Sequence, residues 1–357
     1  MDIKANNVRK ILNKHILADG YDPIIDLKNS HGSWLVDERD NTEYLDMFSM
    51  YASGAVGYNH PYILKNNERL LIASQNKTTL SDVYNTYFAD FVKTFSKSVI
   101  PDYLPYAFFI DGGALAVENA LKAAFDWKVR KNKQNGISEK GTKVIHFKEA
   151  FHGRSGYTLS LTNTSDPRKT MYFPKFDWPR INNPKLTFPI DEVVIEDVKK
   201  QEMYAISQIK SAIQDYPDDI AAIIIEPIQG EGGDNHFRDE FFTVIRRICD
   251  ESEILFIMDE VQTGVGITGK WWAHEHFTAK PDIISFGKKA QVCGILVGRR
   301  IEEVENHVFS ESSRLNSTFG GNLTDMVRFQ LIIEIINNNK LLDNVEKMGK
   351  VLLENLR

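Results

Sequence analysis

From about residue 100 the chain repeats one unit: a short apolar run, a glycine or acidic residue, then a longer stretch with apolar positions at helical spacing. "YAFFIDGG" leads into "ALAVENALKAAFDWKVRK", where Val117, Leu121 and Phe125 fall on one face of a helix. "KVIHF", "IAAIIIEP", "ILFIMDE" and "PDIISF" follow as further β-branched runs separated by helical stretches. Runs that are apolar throughout, with intervening helices, predict an α/β fold: a mostly parallel central sheet flanked by helices on both faces. In such a sheet ligands bind beyond the carboxyl ends of the strands.

Both ends of the chain read differently. Residues 1–60 alternate short apolar pieces with turn residues, which predicts a leading helix and then hairpin strands turning at His31-Gly32 and near Asp40-Asn41. The expected organisation is a small-domain part over 1–60, a large domain over 61–330, and the start of a second small-domain segment over 331–357. The final stretch predicts two helices, and the second is still periodic at Arg357 with no glycine or proline stop. The expectation is a smaller α+β domain that is truncated at its C-terminal side.

Composition narrows the partners. A length of 357 residues with 42% hydrophobic content is ample for a large core, and a net charge of −6 argues against general nucleic-acid binding. Cys249 and Cys293 make no disulfide framework and no Cys/His cluster has zinc spacing, so a reducing cytoplasm and no metal are expected. The N-terminal residues are charged throughout, unlike a signal peptide, and no apolar run nears the roughly 18 residues of a membrane span.

The informative polar residues sit where strands finish. Asp259 and Glu260 end "ILFIM", and Lys288 and Lys289 follow "IISFG". A carboxylate at the tip of a buried strand is costly unless a cation faces it; taken alone, such an acid is more often a cap or a solvated loop residue. Gly112 and Gly113 precede a helix, whose free N–H groups and dipole favour a phosphate. No dinucleotide or P-loop fingerprint is present. A lysine amine, a carboxylate for a ring nitrogen and a helix N-terminus for a phosphate are together what pyridoxal phosphate requires.

"IIIEPIQGEGGDN", "MDEVQTGVGITGKWWAHEH" and "PDIISFGKK" resemble, in this order and spacing, the class III aminotransferases of the fold type I pyridoxal-phosphate enzymes. The likeness runs from "GYNHP" to "STFGGN", while the loop "GGALAVENA" departs from the S-G-S-E-A form usual in that class. "EAFHGRSGYTLSLTNT", "FPKFDWPRI" and "FGKKAQVCG" look like the members acting on the terminal (ε) amine of L-lysine. The resemblance implies transfer of that amine to 2-oxoglutarate, giving 2-aminoadipate 6-semialdehyde and L-glutamate, by a homodimer with shared active sites.

It also implies roles. Lys288 is the Schiff-base lysine and general acid/base, Asp259 pairs with the pyridinium nitrogen, Val261 and Phe151 cover the two ring faces, and Gln262 reaches the ring hydroxyl. Gly113 and Ala114 hold the phosphate together with Thr318 of the other subunit. Arg154 forks a substrate carboxylate, and Glu231 gates that charge by pairing with an arginine from a C-terminal segment that falls beyond Arg357. Lys288, directly after Gly287, matches the family's glycine-then-lysine placement; Lys289, next along an extended segment, is expected to face away, supporting or solvent-directed. His274 and His276 read as packing residues, Cys293 as a small buried hydrophobe, and Trp127 and Trp178 as core or interface anchors. The competing readings are 4-aminobutyrate or ornithine aminotransferase, and an inactive family member acting as a dimerising protein.

Overall fold

The computed structural model describes residues 3–356. An N-terminal hairpin pairs β1 (Trp34–Val36) with β2 (Glu43–Leu45) antiparallel, turning around Asn41, whose φ is 63°. The main sheet has seven strands: β3 (Tyr106–Ile110), β4 (Lys143–Phe147), β5 (Arg180–Ile181), β6 (Ile220–Ile225), β7 (Leu255–Asp259), β8 (Ile283–Phe286) and β9 (Cys293–Val297). Their order is β3-β9-β8-β7-β6-β4-β5. Only β9 runs against its neighbours; the pairs β8-β7, β7-β6, β6-β4 and β4-β5 are parallel, as the continuous apolar runs predict.

The strands are buried on both sides, and alternate residues supply two cores. Ile223, Ile225, Phe256, Met258, Ile284 and Phe286 face one, which takes in the helices Thr86–Ser98, Asp239–Glu251 and Leu323–Asn338. Ala222, Ile224, Leu255, Ile257 and Ile283 face the other, covered by the helix Gly113–Gln134 through Val117, Leu121 and Trp127. Truncating a fully buried member such as Ile257 to alanine costs about 2–5 kcal/mol, the transfer term plus the cavity left behind. Trp127 is a core anchor whose indole N–H donates to Arg300 O at 2.9 Å. Trp178 is buried against the same core and stacks on Phe176.

The helix Leu323–Asn338 crosses residue 330 without a break and packs Phe329 against Phe91 and Phe95, so a boundary at 330 falls within one continuous element. The helix Leu341–Leu356 follows it and buries no residue completely. Among the described residues no helix is long and apolar enough to cross a membrane.

Candidate active site

Strand order assembles the site. Because β8, β7 and β6 are parallel neighbours, with Ile225 opposite Met258 and Asp259 opposite Ser285, the chain emerges from them with Lys288, Asp259 and Glu226 side by side. β3 ends at the same edge and hands over to Gly112 and the helix Gly113–Gln134. The result is a cavity of about 320 Å³ lined by Gly113, Ala114, Phe151, His152, Gly153, Arg154, Glu226, Asp259, Val261, Gln262 and Lys288.

Ten of the residues singled out from the sequence divide plainly. Gly113, Ala114, Phe151, Arg154, Asp259, Val261, Gln262 and Lys288 all line the cavity; Thr318 does not. Glu231 lies on the turn after Gln229, also outside that lining, where its carboxylate accepts from Thr164 Oγ1 at 2.9 Å and pairs with Lys169 Nζ at 2.5 Å. Lys169 and Thr164, partners of this acid within the chain, were not anticipated.

Asp259 is 4% exposed and fully engaged. Oδ2 lies 2.8 Å from His152 Nδ1, and Oδ1 accepts from Ser285 Oγ at 2.8 Å and from the Val261 N–H at 3.1 Å. His152 Nε2 is buried without a partner among the described residues. With one ring nitrogen facing a carboxylate, a neutral imidazole carries its proton on Nδ1 and leaves Nε2 as an acceptor.

Lys288 Nζ donates to Gln262 Oε1 at 2.8 Å. Burial pushes its amine below the ordinary lysine value, while the charges of Asp259 and Glu226 pull the other way. Its φ is 51°, in the left-handed region where a β-carbon costs about 1 kcal/mol or more. Of the two expectations for Lys289, the solvent-directed one needs correction. The segment after β8 is a 3₁₀ turn, Lys288–Ala290, and Lys289 is 3% exposed, more buried than Lys288. Its Nζ donates to Gln262 O at 2.7 Å and Ala52 O at 3.2 Å instead of reaching solvent.

Glu226, at the tip of β6, is a second unanticipated participant. It is 4% exposed and accepts from the Phe151 N–H at 2.8 Å; burial, reinforced by the Asp259 charge, raises its carboxyl well above the usual range. The run "IAAIIIEP" carried the same signal as "ILFIMDE", a carboxylate ending an apolar strand. His152 had only its place beside Phe151, and Ser285 only its hydroxyl in an otherwise apolar strand.

The wall opposite β7 depends on one glycine. Gly153 has φ 118°, and a β-carbon there would lie 2.5 Å from Ala114 Cβ, so only glycine lets the 151–154 loop sit on the first helical turn. That turn is capped by Gly112, with φ 96° and no side chain to satisfy the leading N–H groups, so they remain available to an anion at the cavity wall. An uncapped helix N-terminus, an unpartnered buried imidazole nitrogen and a lysine amine opposite a carboxylate fit a phosphorylated aromatic aldehyde. Among the described residues no group of three or more His, Cys, Asp or Glu is placed to hold a metal. His274 is instead fully buried, with Nδ1 2.9 Å from Glu260 Oε1 and Nε2 against Tyr103 Oη. Cys293 is a buried free thiol raised by desolvation.

Residues 16–357 match the family described as aminotransferase class-III. The L-lysine-epsilon aminotransferase of Mycobacterium tuberculosis H37Rv is 50% identical, the alignment covering 97% of this chain and 77% of that protein. The protein of the same name from Streptomyces clavuligerus is 46% identical over 99% of this chain and 78% of its own length. A 4-aminobutyrate aminotransferase of Emericella nidulans is 33% identical, over 93% of this chain and 70% of its own. Among solved structures, lysine aminotransferase from M. tuberculosis in its internal aldimine form superposes with a TM-score of 0.95 at 50% identity, covering 98% of this chain and 80% of that one. A transaminase from the marine bacterium Virgibacillus shares the fold, with a TM-score of 0.82 at 23% identity.

Proposed function

The chain belongs to the class III aminotransferases, pyridoxal-phosphate-dependent enzymes, and we propose that it transfers the terminal amine of L-lysine to 2-oxoglutarate, forming 2-aminoadipate 6-semialdehyde and L-glutamate. The observation carrying this reading is the convergence of Lys288, Asp259 and the uncapped helix start at Gly113 on one cavity. Its substrate assignment is supported by relatives 46–50% identical that bear the name L-lysine-epsilon aminotransferase.

When bound, pyridoxal phosphate supplies a carbonyl that takes up an amine and a ring that accepts the electron pair released at the amine-bearing carbon. The chain does the rest. Gly113 and Ala114 N–H groups hold the phosphate at the positive end of the helix Gly113–Gln134. Val261 and Phe151 would cover the ring, and the Glu226 carboxyl fixes Phe151 by its backbone N–H. Asp259, oriented by His152 and Ser285, keeps the ring nitrogen protonated. Gln262 presents its amide both to Lys288 and to the ring hydroxyl. Lys288 Nζ, its proton affinity lowered by burial, moves the proton at the substrate's terminal carbon as base and then as acid.

Arg154, exposed at the mouth of the cavity, reads the substrate's α-carboxylate and so selects an amine at the far end of the molecule. Glu231, in the pair with Lys169, modulates the charge met by the second substrate. Thr318, away from the cavity lining of its own chain, serves the phosphate in the partner of a homodimer with shared sites. A cytoplasmic setting is part of the same reading and is supported by the free thiols Cys249 and Cys293.

The test is an amine-donor assay on the purified protein with 2-oxoglutarate. L-lysine should support glutamate formation above 4-aminobutyrate and ornithine, and Lys288→Ala should abolish both turnover and the near-visible absorbance band. Preference for 4-aminobutyrate or ornithine would overturn the substrate assignment.

A further inference from the structure

Lys289 is a buried cation without a carboxylate in contact among the described residues. Its two hydrogen-bond partners are backbone carbonyls from distant parts of the chain: Ala52 O at 3.2 Å and Gln262 O at 2.7 Å. Its flank borders a groove lined largely by apolar residues, including Ala55, Val265, Ile336 and Leu342. Burial, with the neighbouring Lys288 charge adding to it, pushes the amine down to about 8, and Glu260 opposes the shift. A residue placed at such a desolvation cost is not needed to fill space, since a Met stem would do that.

What it joins is informative. Gln262 is the residue whose side-chain amide receives Lys288 Nζ at 2.8 Å. Ala52 belongs to a strained turn in which Ser49, Met50, Tyr51 and Ala52 all have positive φ, from 50° to 61°. Four consecutive left-handed residues with β-carbons persist only when the surroundings hold them. The turn that follows β8 does so twice: through Lys289 on Ala52 O, and through Gln291 Nε2 on Ser53 O at 3.1 Å, with the same Nε2 3.3 Å from Lys288 O.

We propose that Lys289 is a positioning residue for Lys288: it clamps the Gln262 backbone to the 49–53 segment, and so fixes the amide against which the Lys288 amine is held. The proposal rests on the reading of Lys288 as the cofactor-bearing lysine. It makes the doublet a division of labour within one turn, with Lys288 facing the cavity and Lys289 bracing the cavity wall from behind. It also ties the N-terminal segment to the site, so that loosening residues 49–53 is felt at Lys288 through the Lys289 ammonium, with the Gln291 amide as a second tie.

The test uses the full chain and the variants Lys289→Met, Lys289→Arg, Gln262→Ala, Lys289→Met combined with Gln262→Ala, and Lys288→Ala. Amide hydrogen exchange of the cofactor-free proteins is followed over residues 49–55, and the absorbance band is titrated with pyridoxal phosphate. Removing the clamp leaves two partly buried carbonyls without their donor, so Lys289→Met should speed exchange in 49–55 and weaken cofactor affinity, each about tenfold. Adding Gln262→Ala to it should weaken affinity little further, because the two act in series. Lys289→Arg should recover most of both. The inference is overturned if Lys289→Met folds with unchanged affinity and exchange, or if its effect multiplies independently with that of Gln262→Ala. Lys289→Gln, which keeps a donor, carries the same comparison should the Met variant not fold. A band that survives Lys288→Ala would refute the assignment of Lys288, a failure distinct from that of the clamp.

Discussion

His152 Nδ1 and Asp259 Oδ2 face each other at 2.8 Å in a pair sealed from water on both sides. Asp259 also holds Ser285 Oγ and the Val261 N–H, so its carboxylate is fixed by three donors before any ligand arrives. In the role proposed for it, a carboxylate oriented in this way would meet a ring nitrogen without reorganising, a form of electrostatic preorganisation.

His152→Ala removes one of the three and leaves a buried carboxylate oxygen short of a partner, at about 1–3 kcal/mol. The expected result is a loss of cofactor affinity of roughly tenfold or more, read by titrating the absorbance band. His152→Asn, whose amide can still donate, should lose less. Equal affinity in all three proteins would show that Ser285 and Val261 suffice.

Arg154→Lys keeps the charge at the mouth of the cavity but not the two parallel donors. The apparent KM for L-lysine should rise about 10–100-fold while cofactor affinity and the absorbance band stay as in the parent. An unchanged KM would remove Arg154 from substrate recognition.

Gly153→Ala places a methyl group 2.5 Å from Ala114 Cβ and asks an L-residue to hold φ 118°. The 151–154 loop then has to lift from the helix start, and the variant should fold while binding the cofactor at least about tenfold more weakly, measured by equilibrium dialysis. Unaltered binding would mean that the loop seat is more pliable than its geometry implies.

His146 lies in β4, 1% exposed, with Nδ1 3.1 Å from Leu161 O. Burial, helped by the charge of Arg180, pushes its imidazole down to about 3, so it is neutral in the fold but protonates in the unfolded chain near 6.5. The unfolded state therefore binds more protons between about 6.5 and 3, and its contribution to stability is present above 6.5 and lost as pH falls through that window. Lowering the pH from 7 to 5 should destabilise the parent by about 2 kcal/mol through this group. Denaturant unfolding at the two pH values should show that increment missing in His146→Leu, and an identical pH dependence would contradict it.

Much of the site was legible because the parallel sheet puts its functional groups at strand tips, and a tip is readable as the polar residue ending an apolar run. Asp259 and Lys288 were found that way, Gly113 by the glycine pair that opens a helix, and Glu226 carries the strand-tip mark at the end of β6. His152 and Ser285 were not, since their roles come from side chains meeting across the site and across the β7–β8 register, which no local pattern encodes. Lys289 does point away from the cavity, but its burial was not legible: the chain leaves the strand at Gly287 for a 3₁₀ turn, which carries the second lysine into the protein and not to solvent. The single reversed strand β9 was likewise hidden, because a strand buried on both faces reads alike in either direction.

The central claim is that the nitrogen transferred is the terminal one. L-lysine labelled with ¹⁵N at the ε position, incubated with the cofactor-loaded protein and 2-oxoglutarate, should deliver its label to glutamate, detected by mass spectrometry, whereas L-lysine labelled at the α position should deliver none. Label in glutamate from the α position, or from neither position, would contradict the account.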